Sequence, residues 1–254
     1  MRRTLLLLST MMLALFVAGG VALAAVITCD GGRCEGTNQN DDITGSDVRD
    51  RIFALGGFDE VFARGGDDEL YGGSSADNLD GQADNDTYFG GGGNDFLTEV
   101  FYGLGTGNDE MNGGGGVDYM EGGLGNDILR GQEGDDNSIG AFFTSMFGGQ
   151  GDDELYGGPG EDGMEGEQGT DQHFGGRDND YIDAVVDDEL GTQDLVDCGS
   201  GYDTAVVREP EDIVRNCEEV TDENALPAAP GTSTDQEQQQ QAAEAFLQEN
   251  VLQP

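Results

Sequence analysis

Residues 63–98 read ARGGDDELY GGSSADNLD GQADNDTYF GGGGNDFLT, four nine-residue units with Asp68, Asp77, Asp86 and Asp95 at the sixth place of each. The period continues in both directions. Upstream, GTNQNDDIT, GSDVRDRIF and ALGGFDEVF carry it back to Gly36. Downstream, an insertion from Glu99 to Gly103 is followed by LGTGNDEMN, GGGGVDYME, GGLGNDILR and GQEGDDNSI. Gly140 to Phe147 read as an eight-residue degenerate row, after which GGQGDDELY, GGPGEDGME, GEQGTDQHF and GGRDNDYID run to Asp183 and CGSGYDTAV stands alone beyond a gap. All sixteen rows have Asp at the sixth place and eleven have Gly at the fourth; the eighth is apolar or aromatic except at Ser138 and His173.

Nine residues divide into a six-residue turn and a short strand. Neighbours on a strand face opposite ways, so the eighth residue is the one expected to point inward. Glycine permits positive φ and close approach of successive backbones, and a turn so bent exposes carbonyl oxygens. Carbonyls and carboxylates are what a hard cation such as Ca²⁺ takes, about six to eight oxygens at a time. A glycine-rich acidic linker would not need Asp at one place in nine with an apolar residue two places later, so the pattern argues for stacked repeats.

The pattern G-G-x-G-x-D-x-U-x, with U apolar, resembles the RTX, or hemolysin-type, calcium-binding repeat over residues 36–206, about two thirds of the chain. The resemblance implies an all-β fold, a right-handed parallel β-roll in which two nonapeptides make one circuit. Turns on one edge would then stack at i and i+18 and share several calcium ions through their sixth-place aspartates. Carried onto this chain, one edge holds Asp41, Asp59, Asp77 and Asp95, and the other Asp50, Asp68 and Asp86. Beyond the insertion the pairs are Asp109 with Asp127 and Asp118 with Asp136; beyond the degenerate row they are Asp153 with Asp171 and Asp162 with Asp180. Gln39, Val48, Ser75, Asp84 and Asp178 replace the fourth glycine, and the first two rows, without glycine inside the turn, are expected to be structured but ion-free.

Stacked strands sit about 4.8 Å apart, and two carboxylates at roughly 5 Å repel by about 3 kcal/mol at an effective dielectric of 20. Repeated along two edges, that rivals a domain's stability of about 5–15 kcal/mol. The expectation is a disordered chain without calcium that folds on binding it, because the site does not exist in the unfolded state.

The segments outside the repeat predict an exported protein. Residues 1–24, MRRTLLLLSTMMLALFVAGGVALA, have the basic start, apolar stretch and Ala-x-Ala end of a secretory signal peptide. A retained anchor is the rival, since the uncharged run from Leu5 to Ile27 reaches the roughly 20 residues that span a bilayer; Gly19-Gly20 and the Ala-x-Ala site favour cleavage. Nothing later resembles a membrane span. The cysteines fall into two local pairs, Cys29 with Cys34 and Cys198 with Cys217, whose spacings match neither a zinc ribbon nor a finger. Disulfides suit an oxidising compartment, with the pairing left open by spacing alone. Residues 194–220 are similar to the Cys-bearing end of many secreted family members, which implies a closing cap with Cys198 bonded to Cys217. The organisation expected is signal peptide 1–24, opening cap 25–35, roll 36–183, closing cap 184–220 and flexible tail 221–254.

The remaining features narrow the function. With 53 acidic residues against 10 basic, all of them Arg, the formal charge is −43, which excludes nucleic acid as a partner because phosphate binding needs a basic face. So many Asp guarantee carboxylate pairs at every separation, and HExxH, GxSxG and a P-loop are all absent; no catalytic residue is predicted. His173 falls at an inward place and reads as a packed ring. The aromatic interruptions Glu99-Val-Phe-Tyr-Gly103 and Gly140 to Phe147 would make a surface for a cell or polysaccharide if exposed, with Phe142, Phe143 and Phe147 as its anchors, and would plug the roll if buried; the second is favoured. The function expected is a secreted calcium-binding protein with a structural, surface or adhesive role.

Overall fold

The structure is a computed structural model; the described residues are 24–99, 105–137, 144–185, 192–208 and 212–222. The signal peptide, apart from Ala24, and the tail beyond Asp222 lie outside them, as do residues 100–104, Phe142 and Phe143.

The short strands alternate between two parallel sheets. One sheet, eleven-stranded, contains β1 (Val26–Thr28), β3 (Asp42–Thr44), β5 (Glu60–Gly65), β7 (Asn78–Ala83), β9 (Phe96–Thr98), β11 (Tyr119–Leu124), β13 (Met146–Gln150), β15 (Gly163–Gln168), β17 (Tyr181–Asp183), β19 (Thr204–Val207) and β21 (Glu219–Asp222) in that order. The other, ten-stranded, contains β2 (Gly32–Glu35), β4 (Asp50–Gly56), β6 (Glu69–Ser74), β8 (Thr87–Gly92), β10 (Glu110–Gly115), β12 (Ile128–Glu133), β14 (Glu154–Pro159), β16 (Gln172–Arg177), β18 (Leu195–Ser200) and β20 (Ile213–Arg215). Strict alternation with parallel pairing is a β-roll, as the repeat predicts. Among the described residues no helix is long and apolar enough to cross a membrane.

Register puts the eighth places in two facing stacks. Ile43, Val61, Leu79, Leu97, Met120, Met146, Met164, Ile182 and Ala205 pair in succession along the first sheet. Ile52, Leu70, Tyr88, Met111, Leu129, Leu155, His173 and Val196 do so along the second. All of these are essentially solvent-free, and each large apolar side chain contributes about 1.5–3 kcal/mol on burial. His173 is the packed ring expected, its basicity lowered to about 4 by burial.

Two boundaries differ from the reading of the sequence. The degenerate row 140–147 is not a row: among the described residues Met146 is the inward residue that follows Asp136, in register with Met120, and Phe147 pairs with Glu121. A ninth-length row would have transferred every later strand to the opposite sheet; an insertion within one row leaves the alternation intact. The segments read as caps also carry strands of the same two sheets. Asp194-Leu-Val196 and Asp212-Ile-Val214 supply β18 and β20, so the coil runs to Asp222. The disulfides Cys29–Cys34 and Cys198–Cys217 staple the first and last coils, with Cα atoms 5.8 and 5.2 Å apart.

The outer faces differ. On the second sheet Phe53, Tyr71 and Phe89 stack ring on ring at 4.6 and 4.7 Å, with Phe89 36% exposed. On the first sheet Phe96, Tyr119 and Phe147 point outward yet are 5% exposed or less. They pack together beside the points where the two insertions interrupt the coil, Phe96 on Tyr119 at 4.5 Å and Tyr119 near Phe147 at 5.5 Å. Phe147 therefore neither plugs the roll nor offers an open surface.

Candidate metal centre

The turns place every sixth-place Asp on one of two straight edges. Within most turns, the second and fourth places take positive φ. Glycine does so without strain at Gly73 (117°) and Gly93 (141°), while Leu55 (84°), Arg64 (84°), Asp84 (76°) and Asp178 (73°) adopt it where glycine is replaced.

Each sixth-place carboxylate reaches back along the edge. Oδ1 accepts the backbone N–H of the Asp one coil earlier: Asp41 donates to Asp59, Asp59 to Asp77, Asp77 to Asp95, at 2.8, 2.9 and 2.9 Å. That edge continues through Asp118, Asp136, Asp162 and Asp180 to Asp203. The other runs Asp50, Asp68, Asp86, Asp109, Asp127, Asp153, Asp171 and Asp194, ending on Asp212. All fifteen aspartates singled out from the sequence lie on these ladders.

The strict i+18 pairing does not hold throughout. Steps of 23 residues join Asp86 to Asp109 and Asp95 to Asp118, and steps of 26 join Asp127 to Asp153 and Asp136 to Asp162. The ladders are thus continuous where the sequence reading broke them, because the rungs on either side of each insertion remain hydrogen-bonded to each other. Asp194 and Asp203, joined to Asp171 and Asp180 by further 23-residue steps, were not among the predicted ligands. An Asp followed two places later by Val196 or Ala205 was the signal for them.

The second oxygen separates two kinds of coil. In Asp59, Asp68, Asp77, Asp86, Asp95, Asp109, Asp118, Asp127, Asp136, Asp153, Asp162, Asp180 and Asp203, Oδ2 is buried with no hydrogen-bond donor. It faces acceptors instead. A Cβ placed on Gly72 would lie 2.7 Å from both Asp77 Oδ2 and the carbonyl oxygen of Gly90 in the next coil, and one on Gly122 would lie 2.6 Å from both Asp127 Oδ2 and Gly148 O. Glycine at the first place keeps open a cradle lined by oxygen. At the ends the same oxygen has a donor: Asp41 Oδ2 accepts Thr37 N–H at 2.6 Å, Asp50 Oδ2 accepts Ser46 N–H at 2.8 Å, and Asp212 Oδ2 accepts Arg208 N–H at 2.6 Å.

Burial without donors disfavours the charged form. It pushes the carboxyl pKa up to about 6 in Asp59, Asp127 and Asp136, about 7 in Asp68, Asp95, Asp109 and Asp162, about 8 in Asp77, Asp118, Asp153 and Asp180, and about 9 in Asp86. Such oxygens need a proton or a cation at neutral pH. The ion pairs Arg33 with Glu35, Arg49 and Arg51 with Glu69, and Arg130 with Glu110 involve no ladder aspartate. An all-oxygen set of carboxylates and carbonyls suits calcium rather than a soft metal.

Comparison with known protein families agrees with this geometry. Residues 35–70, 44–79, 62–97, 104–138 and 140–172 match the model of the RTX calcium-binding nonapeptide repeat, together just over half of the chain. A search of curated proteins finds no match.

Proposed function

Since the chain belongs to the RTX calcium-binding nonapeptide repeat family and is a calcium-binding β-roll, we propose that it is an exported protein whose roll folds when calcium fills the interior coils, with a structural, surface or adhesive role. The observation that carries the reading is the row of buried Oδ2 atoms lacking donors and set against carbonyl oxygens. The ladder aspartates from Asp59 to Asp203 are assigned as the ligands, each ion lying between successive coils on one edge. The basic, apolar and Ala-x-Ala layout of residues 1–24 and the two disulfides support an oxidising location outside the cell. No catalysis is assigned.

Circular dichroism of the chain beginning at Ala25, in chelator and then in millimolar Ca²⁺, tests the proposal. A coil spectrum converting to a strand spectrum is expected; identical spectra would overturn it.

A second reading, attachment to a polymer or a neighbouring cell, is favoured by the partly exposed Phe53–Tyr71–Phe89 stack and by a second stacked pair further along the same face, Tyr156 and Phe174, 4.8 Å apart. It predicts calcium-dependent attachment to a cell-wall polysaccharide that is lost in a Phe53→Ala/Tyr71→Ala/Phe89→Ala variant whose strand spectrum is intact. Attachment that survives this variant would remove that reading.

A further inference from the structure

The first insertion begins at Glu99, directly after β9, and its side chain turns inward to become 1% exposed. One oxygen from each of Asp86, Glu99 and Asp109 lies within 4.8 Å of the others. Asp86 and Asp109 are consecutive rungs of one ladder; Glu99 belongs to no row of the repeat. Its Oε1 is held by the hydroxyl of Tyr88, which in turn accepts Gly81 N–H at 2.8 Å. Tyr88 is itself an inward residue, and its ring spans the interior to bring the hydroxyl to this edge.

The oxygens that remain are Glu99 Oε2, Asp86 Oδ2 and Asp109 Oδ2, and all three are buried without a donor. The cradle is altered in the same place. A Cβ on Gly81 would meet Asp86 Oδ2, the Tyr88 hydroxyl and, at 2.8 Å, Glu99 Oε1. At Gly72 and Gly122 the corresponding neighbour is the next coil's carbonyl oxygen, so here a charged oxygen stands where the other cradles have a neutral one. Three buried acids this close together, each with an oxygen that no donor meets, stay charged only if a cation joins them.

We propose that Glu99 turns this step of the ladder into a three-carboxylate site for a hard divalent cation of the calcium class, and that this site binds the first and tightest ion of the roll. The inference rests on the calcium reading of the ladders and goes beyond it, assigning a ligand from outside the repeat and making Tyr88 the residue that positions it. Charge count among the ligands tunes calcium affinity over decades. An ion held here also ties β8 to β10 across the insertion, where Thr87 pairs with Glu110, closing one of the longer circuits first.

Terbium is a direct probe, because Tb³⁺ occupies calcium sites and emits when a nearby tyrosine is excited, and the chain has no Trp. In the full chain the first equivalent of Tb³⁺ should give tyrosine-sensitised emission that calcium displaces. Glu99→Gln should weaken the first calcium equivalent in calorimetry by about tenfold or more, leaving later equivalents and the calcium-saturated strand spectrum unchanged. Tyr88→Phe should keep a first binding step and lose most of the emission. A first equivalent equally tight in Glu99→Gln, or emission that survives Tyr88→Phe, overturns the proposal. If Glu99→Gln does not fold even in saturating calcium, Glu99→Asp decides: a fold recovered with intermediate affinity supports a ligand role, and equal failure makes Glu99 a packing residue. A wild-type chain with no calcium response of any kind would instead overturn the calcium reading of the ladders themselves.

Discussion

Asp41 and Asp118 occupy the same place in the same ladder, yet their surroundings are opposite. Asp41 Oδ2 receives the N–H of Thr37 and its Oδ1 receives that of Ala25, at 2.6 and 3.0 Å. Asp118 is as deeply buried, but its Oδ2 has no donor at all. The cause is local. Thr37, like Ser46 and Arg208, keeps an ordinary backbone and points its N–H at the carboxylate four residues on. The second place of most interior rows takes positive φ instead, as at Gly114 (118°) and Gly123 (93°). A left-handed second residue therefore does two things: it winds the tight turn, and it strips the carboxylate of its internal donor. End coils are closed by the chain's own N–H groups and by disulfides, and interior coils are left to be closed by an ion.

This contrast is most sharply exposed by acid in the absence of metal. The folded-state pKa values of about 6 to about 9 in the interior aspartates lie above the ordinary carboxylate range, so the metal-free folded chain binds more protons than the unfolded one. Stability of the metal-free roll is then present below about pH 4, the unfolded carboxylate pKa, and is lost as pH rises through the folded values. In chelator, strand signal should grow as pH falls from 9 to 4, and the calcium midpoint at fixed ionic strength should rise over the same range. Strand signal that falls on acidification in chelator would break the account.

Single substitutions give the next largest effect. Asp118→Asn in saturating calcium should cost about 3 kcal/mol or more, as loss of one partner of a buried charge pair does, whereas Asp41→Asn, which keeps an oxygen for Thr37, should cost about 1 kcal/mol. In chelator at neutral pH both variants should stay unfolded, as the parent does, so denaturant melts in saturating calcium measure the difference.

Reduction tests the ends. The Cys198–Cys217 link, with a sequence separation of 19, should contribute about 3 kcal/mol, and the Cys29–Cys34 link, with a separation of 5, about 2 kcal/mol by chain entropy. Calcium stoichiometry from calorimetry should be unaltered by either reduction, because the proposed ion sites lie in the interior coils. Smallest is the pair Gly72→Ala and Gly92→Ala. A methyl on Gly72 enters the cradle of Asp77, an overpacking of about 1–3 kcal/mol confined to calcium conditions; at Gly92 nothing lies within 4 Å and the change should stay within about 0.5 kcal/mol.

Much of this was legible from spacing. The period of nine places Asp and the inward residue without reference to anything distant, and the missing turn glycines around Thr37 and Ser46 already marked the first rows as different. What escaped the sequence depends on where a loop goes once it leaves the period. Glu99 looks like the first residue of an insertion, and nothing in its neighbours says that it folds back between Asp86 and Asp109. The eight residues after Ser138 nearly equal a repeat in length, so counting favours a row; sheet parity, a property of the stack, rejects it. Phe96 and Tyr119 fall at outward places by alternation, and only the packed outer face beside the insertions buries them. Asp194 and Asp212 lost their glycines and with them the motif, although Asp-x-Val survives in both.

The most direct test of the central claim is amide hydrogen exchange at neutral pH, read segment by segment in calcium and in chelator. With calcium, the strands from β5 to β17 should be protected. Without it they should exchange at the rate of an unfolded chain, while the disulfide-stapled residues Cys29–Cys34 and Cys198–Cys217 change least. Equal protection of the interior strands in both conditions would mean that the buried carboxylates do not need an ion, and would contradict the account.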